Sequence, residues 1–306
     1  MGDSLVPLLQ LSQLSPFSPL SPFFTAMPAP NDHANPGQQI SHRAASLLPL
    51  QSSGRDLTAQ QRDIVWTAFR NNAGLRDWPD GVLAALVGAG HLRTYPDGTL
   101  IYAAGEACAD IHVILSGVLE WEWSSPEGGR AVEDFIPPGE VANFIAVLTG
   151  ETAVHNQRAR GLTRLFHIPA HALNAQLVRD PTLNASLLRL IAGRARGLHD
   201  RLGRHSLTSF RARLAYQLLA LAKRYGVPEA AEADGTAAGI TLSLRLSQED
   251  LAALLMASRQ YLNREFRWFL DHQLVRIRYG RITLLDLEML REISEGVRHA
   301  EMTKPL

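Results

Sequence analysis

Cysteine is nearly absent: Cys108 is the single one in 306 residues. That excludes a disulfide framework within the chain. It also excludes an iron–sulfur cluster, which takes about four thiolate ligands. No apolar run is long enough to cross a membrane. A secretory leader is not expected, because it needs a basic start and an unbroken apolar core, whereas Asp3 comes early and prolines interrupt the next twenty or so residues. A surplus of charge is missing too, with 30 Lys and Arg against 30 Asp and Glu. The whole chain thus carries no electrostatic sign of a nucleic-acid partner, although a local field can still provide one. Nucleophile elbows, phosphate loops and paired acid/base carboxylates are likewise missing. What is present, 46% apolar residues over a length of about two domains, fits a soluble cytoplasmic protein with properly buried cores.

The texture changes three times along the chain. Residues 1–55 are rich in Pro, Ser and polar residues without a helical or strand period and read as a disordered tail, with Met27 an alternative start. A short interaction segment using Phe17, Phe23 and Phe24 is the other reading of that stretch. Helices are expected over 58–69 and 80–87. Short strands come next in TYPDGTLIYAAGE, IHVILSGVLEWEW, EDFIPPGEVAN and ETAVHNQRARGLTRLFHIP, with Gly98, Gly105, Gly117, Gly128, Gly129 and Gly139 at the corners. Regular short strands predict an antiparallel sandwich or jelly roll. A long helix is expected over 181–203, with Leu188, Ile191, Ala195, Leu198 and Leu202 three and four apart in a heptad seam. Such a seam serves either packing within one chain or pairing of two.

The most specific stretch is SQEDLAALLMASRQYLNREFRWFL followed by VRIRYGRITLL. Ser247 is a good N-cap, with Glu249 and Asp250 in the first turn where the helix dipole favours acids. Leu251, Ala252, Leu254 and Leu255 make an apolar stripe, Met256-Ala257 make the break, and Ser258 caps a second helix to about Leu270. Tyr261, Leu262, Phe266, Phe269 and Leu270 suit its packed side, leaving Arg259, Gln260, Asn263, Arg264 and Arg267 on the other. A two-residue Tyr279-Gly280 turn then closes a hairpin wing. From Arg259 to Arg281 there are six arginines against Glu265 and Asp271. Arg, Asn and Gln match guanine and adenine edges in the major groove, and Arg also neutralises phosphates. The layout predicts a winged helix-turn-helix.

The run LSQEDLAALL-x-ASRQ-x-LNRE, ending in RYGRITLLDLEMLREI, resembles the C-terminal domain of the Crp/Fnr family of bacterial transcription regulators. DGTLIYAAGE and IHVILSGVLEW resemble the family's N-terminal cyclic-nucleotide-binding-like domain, so the likeness runs from about Leu75 to Leu290. It implies an α+β protein: a jelly-roll sensor over 56–178, a dimerisation helix over 179–205 and a winged helix-turn-helix over 206–306. It implies a homodimer joined through Leu188, Ile191, Ala195, Leu198 and Leu202. The expected partners are double-stranded DNA with an inverted repeat and RNA polymerase. Arg259, Gln260 and Arg264 fall on base-reading positions; the family often has Glu at 260, and Gln shifts preference from cytosine towards adenine. Ser258, Asn263, Arg267, Arg278 and Arg281 are expected on phosphates. Met256 stands where the family often has glycine, which is tolerable if its backbone keeps a negative φ.

The resemblance leaves the effector unknown. Cyclic-AMP-binding relatives use a Gly-Glu pair for the ribose and an Arg-Ser for the phosphate. Gly139-Glu140 match the first pair, but Ala153-Val154 fall at the second, and neither can counter a phosphate charge. Strand alternation puts His155 on the same side as Ala153 and Arg158 on the opposite one. Glu140 and His155 remain as pocket candidates, and cyclic AMP is not the expected ligand. A haem-based gas sensor would need an axial ligand, which His112, His155, His167, His171 or Cys108 could supply. A cupin-like metal enzyme would draw on His112 and His155 with Glu106 or Glu120, but the tight HxH spacing is missing. His167-x-x-x-His171 is a metal pair only on a helix, and Ile168-Pro169 put it at a strand end, so no metal site is expected. Nothing beside Cys108 lowers its pKa convincingly.

Overall fold

The computed structural model describes residues 52–53, 56–125, 128–229 and 238–296. The tail expected over 1–55 lies outside them apart from Ser52–Ser53, which are not tail but strand (β1), pairing with the strand that begins at His91. Helices α1 (Ala59–Asn71) and α2 (Asp80–Ala89) come next, as the sequence predicts. Thr58 starts α1 with a capping box: its hydroxyl accepts from the Gln61 amide while the Gln61 side chain accepts from the Thr58 amide.

The N-terminal domain is an antiparallel roll. Its strands are β2 (His91–Tyr95), β3 (Leu100–Tyr102), β4 (Asp110–Ser124), β5 (Arg130–Ile136), β6 (Val141–Ala142) and β7 (Asn156–Pro169), with a short helix α3 (Phe144–Thr149) before β7. The order is β1-β2-β7-β4-β5, with β3 on β7 and β6 on β4. Two long strands, β4 and β7, pair from Asp110↔Pro169 to Glu122↔Asn156, and each changes neighbours part-way. The first half of β4 meets β6 and the second half meets β5; the first half of β7 meets β3 and the second half β2. The bend lies where the register slips between Ile114 and Val118. Gly117 sits there at φ 78°, and a side-chain carbon on it would come within 2.6 Å of the Thr163 Cα, so only glycine fits. Tyr95, Ile114, Leu119, Ile136, Ala142, Ala159 and Leu165 fill the inside of the bend. A second core, including Phe69, Leu83, Leu86, Phe166, Ile168 and Leu173, seals the roll against α1, α2 and the helix α4 (Ala170–Arg179).

The long helix α5 (Asn184–Leu207) begins later and ends later than expected, because Pro181–Leu183 form a separate 3-10 turn under an Asp180 cap. Beyond it come α6 (Phe210–Tyr225), β8 (Gly226–Glu229), β9 (Gly239–Leu242), α7 (Gln248–Leu254), α8 (Arg259–Asp271), β10 (Val275–Arg278), β11 (Arg281–Leu284) and α9 (Leu287–Glu295). The wing is not an isolated hairpin: β8 and β9 extend it to a four-stranded sheet ordered β10-β11-β9-β8. One apolar core runs through this region and into the roll, joining Val118, Val132 and Phe135 to Phe210, Leu218, Leu251, Phe266 and Leu290. Among the described residues no helix is long and apolar enough to cross a membrane.

The turn between α7 and α8 departs from expectation. Met256 has φ 52°, in the left-handed region, so this long side chain occupies a glycine-type backbone. Its side chain is 67% exposed and contributes little packing in return. A left-handed residue with a Cβ costs roughly 1–2 kcal/mol, part of which glycine gives back in the unfolded chain. Met256→Gly should therefore raise the unfolding free energy by about 1 kcal/mol in a denaturant titration, with no change in slope.

Candidate nucleic-acid interface and effector pocket

Both helices of the turn motif are started by their own serines. The Ser247 hydroxyl accepts from the Asp250 amide at 3.0 Å, and Asp250 returns the bond to the Ser247 amide at 2.9 Å. The Ser258 hydroxyl accepts from the Tyr261 amide at 3.2 Å, leaving its own O–H to donate outward. Leu262, Phe266 and Phe269 are buried on one side of α8. Arg259, Gln260, Arg264 and Arg267 are exposed on the other, and Asn263 is half-buried with its Oδ1 unpartnered in the described residues. Tyr261 and Leu270, expected in the packed set, are at its margin: Tyr261 is partly exposed and meets the Phe210 ring at a tilt, 4.6 Å between centroids.

The arginines do not all remain available. Arg276 is paired at 2.9 Å with Glu229 of β8, so it holds the wing to its neighbour strand. Arg264 lies 3.3 Å from Glu265 and over the Tyr261 ring, while Glu265 is held more firmly by Arg211 at 3.0 Å. Arg278 and Arg281 face each other across the wing turn, where Tyr279 (φ 50°) and Gly280 (φ 72°) both take left-handed backbone, as a two-residue hairpin requires. Tyr279 stands 96% exposed at the tip.

The other end of α7 is tied to the roll. Arg160 of β7 pairs with Asp250 through both guanidinium nitrogens, one at 3.0 Å, and Arg130 of β5 reaches Asp250 at 3.3 Å. The same arginines pair with Glu120, Arg160 at 2.7 Å, and Arg130 pairs with Glu122 at 2.8 Å. Arg158 adds a contact to Glu122 at 3.1 Å. Burial works against the Asp250 charge, but Arg160 and Ser247 hold its carboxyl down at about 2.

In the pocket region, Glu140 and His155 belong to one chain of contacts. Glu140 lies 3.4 Å from Arg194 of α5, which also donates to the Val141 carbonyl. The Arg194 guanidinium sits over Trp121 at 5.7 Å, Trp121 stacks on His155 at 4.5 Å, and Glu133 is 3.7 Å from His155. Burial pushes His155 down to about 4 and pushes Glu133 up. The imidazole is therefore neutral near pH 7, and the cation over this stack, Arg194, is already engaged. The sequence reading missed Trp121 and Arg194, since one lies beside a register shift in β4 and the other belongs to a different element. The strand-parity argument for His155 is corrected as well. β7 starts only at Asn156, so Ala153 to His155 are loop, and buried Ala153 is held by Glu106 through its amide at 2.8 Å. Arg158 does lie on the opposite face, donating to Glu122 and, at 2.8 Å, to the Gly98 carbonyl.

The remaining histidines and acids sort differently from the cupin set. Glu120 is committed to Arg130 and Arg160, Glu106 accepts from the Ala103 amide at 2.9 Å, and His155 packs on Trp121 and Trp123. His112 and His167 are instead brought together in the roll, while His171 is exposed on α4. Cys108 is pushed up to about 11 by burial and then by Asp110 and Glu106, which makes it a poor nucleophile.

Comparison with known proteins respects this division. Residues 92–180 match the cyclic nucleotide-binding domain, and residues 212–293 match the Crp-like helix-turn-helix domain. The chain is 26% identical over 196 residues to the CRP-like cAMP-activated global transcriptional regulator of Mycobacterium tuberculosis, covering 64% of this chain and 84% of that one. Among solved structures, a CRP/FNR-family transcriptional regulator from Thermus thermophilus superposes with a TM-score of 0.55 at 22% identity, covering 67% of this chain and 98% of the other. The c-di-GMP-responsive global regulator CLP of Xanthomonas campestris superposes with a TM-score of 0.56 at 20% identity, covering 68% and 100%. With a cyclic-nucleotide-binding roll, a long connecting helix and a Crp-type winged helix in this order, the chain belongs to the Crp/Fnr family of transcription regulators.

Proposed function

We propose that two copies of this chain join along α5 and bind an inverted repeat in double-stranded DNA without cyclic AMP. The observation that carries the reading is α8 itself, where Leu262, Phe266 and Phe269 fix one face and Arg259, Gln260, Arg264 and Arg267 are left outside. Arg259, Gln260 and Arg264 read base edges, with Gln260 suited to adenine. Ser258, Asn263, Arg267, Arg278 and Arg281 hold phosphates and set the docking angle. A two-fold dimer then reaches half-sites about 34 Å apart, one turn of the duplex. RNA polymerase, reached from this promoter site in the cytoplasm, is the further partner.

The α5 surface supports the pairing. Leu188, Leu198 and Leu202 are exposed in the single chain, with Ala195 exposed and Ile191 half-buried in the same row. Exposed leucines at three-and-four spacing lose water when two such rows meet. For the effector, the Trp121–His155 stack and the Glu140–Arg194 pair take up the contacts that a nucleotide would need, and Ala153-Val154 offer no cation.

Arg259→Ala should weaken binding by about 1–3 kcal/mol and relax selectivity at one base pair per half-site, whereas Arg281→Ala should weaken all sequences alike. Selection from random duplex followed by anisotropy titration at near-physiological salt separates the two; unchanged affinity and unchanged consensus for Arg259→Ala would remove α8 from base reading. Leu198→Glu should convert dimer to monomer in sedimentation equilibrium while leaving the far-UV spectrum intact. Saturating cyclic AMP should leave both melting temperature and DNA affinity of the wild-type chain unmoved, and a rise in either would put the nucleotide back in the pocket.

A further inference from the structure

Three histidines stand side by side across three neighbouring strands. His91 on β2 is the cross-strand partner of His167 on β7, and His167 is the partner of His112 on β4. Asp110, two residues before His112, projects to the same face. His91 stacks on His167 at 4.9 Å, and His112 meets His167 edge-on at 4.7 Å. A nitrogen of His91, a nitrogen of His167 and an oxygen of Asp110 all lie within 4.8 Å of one another.

The outer atoms of this group are well supplied. His167 Nε2 is hydrogen-bonded to the Tyr95 hydroxyl at 2.9 Å. His112 Nε2 is shared between Gln157 at 3.2 Å and Asn143 at 3.1 Å, and the Tyr102 hydroxyl donates to Asp110 at 3.2 Å. The inner atoms are not. Nδ1 of His112 and Nδ1 of His167 are both buried and both turn to the one carboxylate of Asp110 without a well-aligned hydrogen bond. The Asp110 oxygens lie close, at 3.0 and 3.2 Å, yet off the line that either ring N–H would take. Two buried ring nitrogens converge on one carboxylate at angles poor for hydrogen bonds, an arrangement of lone pairs better suited to a shared cation.

We propose that His91, Asp110 and His167 bind a divalent first-row transition ion, with zinc the best fit. Two imidazoles and one carboxylate are a donor set for zinc and its neighbours; magnesium and calcium take oxygen ligands. Ligands about 2.0–2.1 Å from zinc stand about 3.3 Å apart at the tetrahedral angle, so the ion draws these atoms inward through side-chain rotation alone. The Tyr95 hydroxyl accepts from His167 Nε2–H, which turns the Nδ1 lone pair to the ion. The Tyr102 hydroxyl, which donates to Asp110, aims the carboxylate. Three protein ligands leave a fourth position for water. This site is separate from the DNA-reading surface and from the Trp121–His155 stack, and it stands whether or not α8 reads bases.

The test uses full-length, untagged, chelator-treated protein titrated with Co²⁺ and followed by visible absorption, then with Zn²⁺ in competition. One equivalent per chain is expected. His91→Ala and Asp110→Asn should each weaken binding about 10-fold or more, while His171→Ala, exposed on α4, should bind as wild type. Zinc should also raise the melting temperature of the wild type and not of His91→Ala. Substoichiometric uptake by the wild type, or wild-type affinity in a folded His91→Ala, overturns the site. If the variants fail to fold, X-ray absorption of the zinc-loaded wild type decides: two imidazoles with a carboxylate oxygen uphold it, and a sulfur ligand from Cys108 overturns it.

Discussion

The carboxylate of Asp250 is where the two halves of the protein are registered to each other. It closes the capping box that starts α7, and it receives both Arg160 and Arg130 from the roll. Glu120, Glu122 and Asp250 balance Arg130, Arg158 and Arg160, so the group is neutral as a whole and no member can leave without stranding a charge. Buried ion pairs add little over a well-packed apolar substitute, but breaking one is expensive. The consequence is positional. The first helix of the turn motif begins where the sensor sheet holds it, and α8 inherits that placement across a turn of four residues, Leu255 to Ser258.

A second join, at the C-terminal end of α6, reinforces the first. Arg224 grips Asp134 of β5 at 2.7 and 2.9 Å, and the Tyr225 hydroxyl donates to the Phe135 carbonyl at 2.8 Å. Between these polar clamps runs the shared apolar core around Phe135, Phe210 and Leu251. The polar groups fix direction, and the apolar contact supplies the non-directional gain from water exclusion. Roll and winged helix are thus packed on one shared core within the described residues.

Much of this was legible along the chain because it is local. Ser247 and Ser258 cap the helices they were expected to cap, and Tyr279-Gly280 make the wing turn, since capping and turn chemistry depend on residues a few places apart. Ala153-Val154, at the positions the resembled motif gives to an Arg-Ser pair, are likewise read by local alignment. What stayed hidden depends on register and on contact between distant elements. The row His91–His167–His112 exists only once β2, β7 and β4 are paired with the correct offset, and the bulges near Gly117 make that offset unreadable from alternation. Arg194 reaches Glu140 from another element, and β8 with its Pro228 carries no alternating pattern to announce a strand. Met256 shows the converse, a glycine-type conformation adopted without glycine because the surrounding helices impose it.

One last feature concerns the phase of a helix. On α5, Arg194 points into the stack with Trp121 and Glu140, while Ala195 beside it belongs to the exposed leucine row. Adjacent residues on an α-helix are separated by about 100° of rotation. The two are therefore like crank and shaft on a single rod: no turn of α5 about its axis moves the arginine and leaves the row where it was. A rotation of α5 that draws the guanidinium from Trp121 re-indexes the row as well.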